Sequence, residues 1–244
     1  QEDGDFFMRV EFSTPHLNLG NQALEQAFVS TVAERYSMDW TIYHATEKRQ
    51  VALFVSKHDH ALLELLWRHA QGELDCDIAV VISNHDDLRH EVERFGLTFQ
   101  HVPASAKNRE AAEQQILELL PDSVDLIVLA RYMQILSADF VARFPQRIIN
   151  IHHSFLPAFA GADPYQQAFD KGVKLIGATA HYVTAELDEG PIIEQDIARV
   201  SHRDNRDSLK SMGRDLERQV LSRAVTWHLQ DRVIVDGRKT IVFR

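Results

Sequence analysis

From Val51 onward, short apolar runs alternate with longer stretches in which apolar residues recur at three and four positions. The strand-like runs are 51–56, 76–83, 98–102, 124–130 and 147–152, and the helix-like runs lie near 60–71, 86–95, 108–120 and 137–144. Strands alternating with helices imply right-handed crossovers and a mostly parallel sheet covered on both faces. Ile78-Ala79-Val80-Val81-Ile82 and Leu126-Ile127-Val128-Leu129-Ala130 are continuously apolar, as central strands buried on both sides should be. The pattern predicts an α/β, Rossmann-like open sheet over 51–244. Its later part should hold a short helix at 164–171, strands at 174–184 and 191–200, and a long helix at 207–229. Leu209, Met212, Leu216, Val220, Leu221, Ala224 and Val225 line one side of that helix. The last residues read as two strands around Asp236-Gly237, a strong hairpin signal.

Upstream the pattern differs. Residues 5–12 alternate, with Phe7, Arg9 and Glu11 set against Phe6, Met8, Val10 and Phe12, and this predicts a strand. A helix is expected over 21–36, with Ala23, Leu24, Ala27, Phe28, Thr31 and Val32 as its apolar stripe, and a second strand over 39–45. Two strands and one helix make an incomplete core, so this piece is expected to pair with another chain or to continue a domain begun upstream. The expected division is 1–46 for this small α+β domain, the polar 47–50 as a linker, and 51–244 for the large one.

Composition narrows the function classes. A formal charge of −10 disfavours nucleic acid, because neutralising phosphates requires a basic face. No apolar run reaches the roughly 18 to 20 residues that cross a bilayer, and the acidic start Gln1-Glu2-Asp3-Gly4-Asp5 is unlike a basic leader. A cytoplasmic enzyme is the expectation. The single cysteine, Cys76, allows no intrachain disulfide and reads as a structural thiol at a strand start.

The candidate chemistry lies between Ile148 and Gly190. Asn150 and His152 are two apart and project to one face of a strand, while Ile149, Ile151 and His153 project to the other. Ligands of open α/β sheets sit at the carboxyl ends of the strands. If the strand at 174–184 is a neighbour, Asp188 can reach the same point. Amide hydrolysis needs an oxyanion donor, a proton acceptor and a proton for the leaving nitrogen, which these three side chains can supply. Two other readings compete: local hydrogen bonds that merely end a strand, and a zinc site built from His152, His153, His181 and Asp188. His58, His60, His85, His90 and His101 are expected as surface or capping residues. The turn Ser56-Lys57-His58-Asp59-His60 contains no glycine, so backbone amides cannot wrap a phosphate there.

These motifs carry a resemblance. Asn150-Ile151-His152-His153-Ser154-Phe155-Leu156-Pro157, Gly177-Ala178-Thr179-Ala180-His181-Tyr182-Val183 and Leu187-Asp188-Glu189-Gly190-Pro191 closely resemble the formyltetrahydrofolate deformylases, hydrolase relatives of the folate-dependent formyltransferases. Leu129-Ala130-Arg131-Tyr132-Met133-Gln134-Ile135-Leu136 and Gly213-Arg214-Asp215-Leu216-Glu217 extend the likeness over most of the chain. It implies catalytic roles for Asn150, His152 and Asp188. It further implies a folate site along Gln134, Ile135 and Leu136, with Ser154, Glu186, Leu187 and Gly190 contributing. Folate would then be the substrate, and neither metal nor other cofactor is expected. The piece before Thr46 resembles the second half of an ACT domain, which implies an amino-acid effector and a homo-oligomer, dimer or tetramer. Asp163 and Gln166 depart from the residues common at their positions, where contact with the substrate's anionic tail is at stake. A transferase acting on an amine remains the alternative, but such enzymes resemble one another in a glycine-rich first turn and a His-Pro pair. Here Ser56–His60 and His152-His153 stand in those places.

Overall fold

The computed structural model describes residues 5–13, 20–45, 48–157 and 164–244. It divides into two compact units, Gln1–Glu47 and Lys48–Arg244.

In the first unit, α1 (Asn21–Phe28) runs through a π-helical stretch, Val29–Ala33, into α2 (Glu34–Tyr36). Leu24, Phe28, Val29, Val32 and Ala33 are the covered apolar positions, while Ala23, Ala27 and Thr31 are exposed. Trp40 packs edge-on against Phe28 at 5.4 Å between ring centroids, and His44 pairs with Glu25 at 3.0 Å. The strands expected at 5–12 and 39–45 do not form: among the described residues neither segment belongs to a ladder. Alternation sets which way side chains point, but a strand also needs a paired backbone. The face carrying Phe6, Met8, Val10 and Phe12 is exposed.

The second unit is the open sheet. Its strands are β1 (Arg49–Val55), β2 (Cys76–Ser83), β3 (Phe99–His101), β4 (Val124–Leu129), β5 (Ile148–His152), β6 (Leu175–Tyr182) and β7 (Ile192–Arg199). The spatial order is β3-β2-β1-β4-β5-β6-β7. The first five are parallel, whereas β6 runs antiparallel to β5 and β7 antiparallel to β6. β1 starts inside the expected linker. Its polar first residues are satisfied where they stand: Arg49 pairs with Asp231 at 2.5 Å, and the Gln50 amide donates to Asp125 at 2.7 Å.

Two cores cover the two faces. On one, α3 (His60–Ala70) and α8 (Arg206–Leu229) pack Leu62, Leu65, Leu209 and Val220 onto Leu53, Val128, Ile149 and Ile151. On the other, α5 (Arg109–Leu119) and α6 (Ala138–Ala142) pack Ile116 and Phe140 onto Phe54, Ile127 and Ile148. Each such side chain contributes about 1.5–3 kcal/mol on burial. The short α4 (Arg89–Arg94) and α7 (Pro164–Asp170) flank the sheet, and β8 (Val233–Asp236) with β9 (Lys239–Val242) forms the expected hairpin. Cys76 is buried, and its thiol is pushed up to about 12 by that burial and by Asp77 and Asp75.

Candidate active site

β5 ends between β4 and β6, and its alternation decides what each face of the sheet receives. Ile149 and Ile151 enter the α3/α8 core, so Asn150 and His152 face the α5/α6 side. Antiparallel register places His181 of β6 directly across from Asn150, and Thr179 across from His152. That register also carries the end of β6 away from the end of β5. Asp188 nevertheless reaches His152, because residues 184–190 turn back. Asp188 itself adopts a left-handed backbone, φ 58°, which an aspartate tolerates better than most residues.

Gly190 makes this return path possible. A Cβ there would sit 1.7 Å from the Tyr182 carbonyl oxygen, so the requirement is close backbone approach and not left-handed φ. Gly190→Ala is expected to displace the loop, to destabilise by roughly 1–3 kcal/mol as overpacking does, and to lower turnover. Thermal denaturation and steady-state rates check it, and an unchanged melting temperature with full activity would contradict it.

Asp188 Oδ1 lies 3.2 Å from His152 Nδ1 and 3.6 Å from His181 Nε2. The hydrogen bond from His152 holds the Asp188 carboxyl well below the usual carboxylate range, and His181 adds to this when its ring is protonated. An ionised carboxylate only accepts, so His152 Nδ1 carries the proton and donates. Nε2 of the neutral ring is then left with its lone pair, buried and without a hydrogen-bond partner.

His181 has the complementary arrangement. Its Nδ1 lies 2.9 Å from the Tyr182 carbonyl, which can only accept, so this nitrogen carries the proton. The bare Nε2 of the neutral ring accepts from Asn150 Nδ2 at 3.2 Å, and one amide hydrogen of Asn150 stays free for another acceptor. A protonated His181 would instead donate to Asp188. The sequence pattern places His181 only among candidate metal ligands. Its role in orienting Asn150 depends on which β5 residue it faces, and only the register shows that. Among the described residues, no group of three or more His, Cys, Asp or Glu is placed to hold a metal ion.

The residues expected to bind substrate fall in separate places. Gln134, Ile135 and Leu136 line a cleft of about 230 Å³ with Tyr132, Ala104 and Arg109. Asn150, His152 and Asp188 do not line that cleft, and neither do Glu186, Leu187, Gly190 and Ser154. Leu187 is 63% exposed. Ser154 is buried, and its carbonyl accepts from Thr179 Oγ1 at 2.9 Å. Gln166 donates to Asp170 at 2.6 Å, while Asp163 lies outside the described residues. His60, expected at the surface, is instead largely covered and pairs with Glu217 at 2.8 Å. His153 neighbours His152 at 5.3 Å between ring centroids, and burial with Arg131 nearby pushes its imidazole down to about 4.

An open α/β sheet that brings an ionised carboxylate, an imidazole and an amide together near a strand end has the groups that chemistry at a carbonyl carbon requires. The chain belongs to the formyl transferase family, whose pattern matches residues 49–225, and within it to the formyltetrahydrofolate deformylases. It is 57% identical over 243 residues to the formyltetrahydrofolate deformylase of Bacillus subtilis (strain 168), covering 99% of this chain and 81% of that one. The crystal structure of a formyltetrahydrofolate deformylase from Pseudomonas syringae pv. tomato str. DC3000 superposes with a TM-score of 0.89 at 50% identity, over 93% of this chain and 76% of that one. A glycinamide ribonucleotide transformylase from Symbiobacterium toebii shares the fold at a TM-score of 0.74 and 29% identity, over 84% of this chain and 99% of that one.

Proposed function

We propose that this protein hydrolyses 10-formyltetrahydrofolate to formate and tetrahydrofolate, with Asn150, His152 and Asp188 as its catalytic residues. The supporting observation is the 3.2 Å pair between His152 Nδ1 and Asp188, which leaves Nε2 as a buried, unpartnered acceptor. In this mechanism Nε2 takes a proton from the attacking water while Asp188 stabilises the imidazolium that forms. Asn150 donates its free amide hydrogen to the oxyanion, and the departing N10 recovers a proton through the His152–Asp188 pair. Water therefore supplies the hydroxyl that becomes part of formate, and N10 keeps the electron pair of the broken bond. The cleft beside Gln134, Ile135 and Leu136 is suited to one edge of the folate, with the exposed Met133 and Ile135 as apolar walls. The mechanism calls on no metal and no further cofactor.

The formate would feed one-carbon metabolism and purine biosynthesis, in the cytoplasm. The N-terminal unit would act as an ACT-like sensor of an amino acid. Its exposed Phe6, Met8, Val10 and Phe12 would meet a second copy in a homo-oligomer, since a contiguous apolar face of this kind marks an interaction surface.

The test is formate release by pure protein from 10-formyltetrahydrofolate with no amine acceptor, with and without chelator. Stoichiometric formate and tetrahydrofolate, unaffected by chelator, are expected. Turnover only when an amine is added would establish a transferase instead.

A further inference from the structure

The proposed mechanism uses one face of the sheet, and a second polar cluster lies on the other. Strand order reverses between β1 and β4, and such a switch point opens the crevice where doubly wound sheets seat ligands. In this protein side chains of its own occupy that place. Arg131 follows β4 and is only 9% exposed, and Glu217 of α8 is 1% exposed. Glu217 accepts from Tyr165 Oη at 2.6 Å, pairs with His60 at 2.8 Å and faces Arg131 Nε at 3.4 Å.

The cluster adjoins the catalytic residues, because His153 lies 5.3 Å from the His152 ring and 6.2 Å from the Tyr165 ring. Two features single out Arg131 within it. Arg131 holds a left-handed backbone, φ 65°, which is unfavourable for a long L side chain. Its Nη1 is also buried without a hydrogen-bond partner, and its Nε meets Glu217 only as an ion pair, which leaves buried donor capacity unspent. A strained backbone combined with an unmet buried donor points to a functional demand.

Resting on the hydrolase assignment, we propose that Arg131, held by Glu217, Tyr165 and His60, fills the crevice where an amine acceptor would sit, so that water alone takes the formyl group. The transformylase of the same fold, whose name specifies a glycinamide acceptor, shows that this scaffold admits a second substrate. The guanidinium excludes such an amine by volume and, where the amine is protonated, by like charge. With the block removed, the amine nitrogen would attack the formyl carbon, the C–N10 bond would break, N10 would gain a proton and the amine would lose one.

The experiment uses Arg131→Gly, since glycine accepts the left-handed backbone without strain, and Arg131→Gly/Glu217→Gln, which leaves no unpaired carboxylate. Each is given 10-formyltetrahydrofolate and glycinamide, and N-formylglycinamide and formate are quantified together. Wild-type protein should yield formate only. The variants should raise the ratio of N-formylglycinamide to formate at least about tenfold, the scale on which a filled pocket discriminates. An unchanged ratio in folded variants overturns the proposal, as does N-formylglycinamide formed by wild-type protein. Folded variants that release no formate would make Arg131 part of the chemistry, and loss of fold in both would make it a structural residue, so either result overturns it as well. Wild-type protein that releases no formate at all refutes the hydrolase assignment itself.

Discussion

Replacing Asp188 by Asn is expected to lower kcat by about 10²–10⁴ while leaving KM and the fold nearly unchanged. Asp188 Oδ1 accepts from His152 Nδ1 at 3.2 Å and so fixes which ring nitrogen keeps its lone pair. An amide in its place can present a donor, which favours the tautomer with the proton on Nε2 and removes the base. It also cannot stabilise the imidazolium. Because Asp188 is held below its ordinary range, by His152 above all, the wild-type carboxyl is already ionised above about pH 4. It therefore adds no acid limb to the rate profile there. The sign for stability follows. A depressed folded-state value contributes stability that is present above the unfolded carboxylate's range and is lost as pH falls through the folded one. Single-turnover formate release and circular dichroism check the substitution, and full activity in the variant would remove the basis of the mechanism.

Asn150→Ala should cost 10²–10³ in kcat, about 3–4 kcal/mol, which is the usual consequence of losing one oxyanion donor. His181 Nε2 takes one hydrogen of the amide at 3.2 Å, so the remaining hydrogen is aimed before substrate arrives. A donor fixed in advance acts mainly on the transition state, and kcat should fall with little change in KM. A rise in KM at constant kcat would instead place Asn150 in ground-state binding.

Much of the catalytic unit is legible along the chain because the relevant physics is local. β2 coincides with its apolar run, and α8 begins one residue before the expected 207. In both, side-chain period and burial agree. The N-terminal strands fail for the opposite reason: 5–12 alternates well, yet it joins no ladder among the described residues. In the first helix only part of the apolar stripe is covered, because period gives a direction and not a packing partner.

The site divides along the same line. That Asn150 and His152 share a face is a consequence of strand period, and the sequence alone determined it. Their meeting with Asp188 was decided by the tertiary structure, through the antiparallel step from β5 to β6, the left-handed Asp188 and the close approach at Gly190. The same holds for His181 across from Asn150, and for His60, Arg131, Tyr165 and Glu217, which are drawn from four elements around one buried carboxylate. Periodicity reports where a side chain points from its own backbone, whereas which side chains meet depends on register, loop return and packing between segments far apart in the chain.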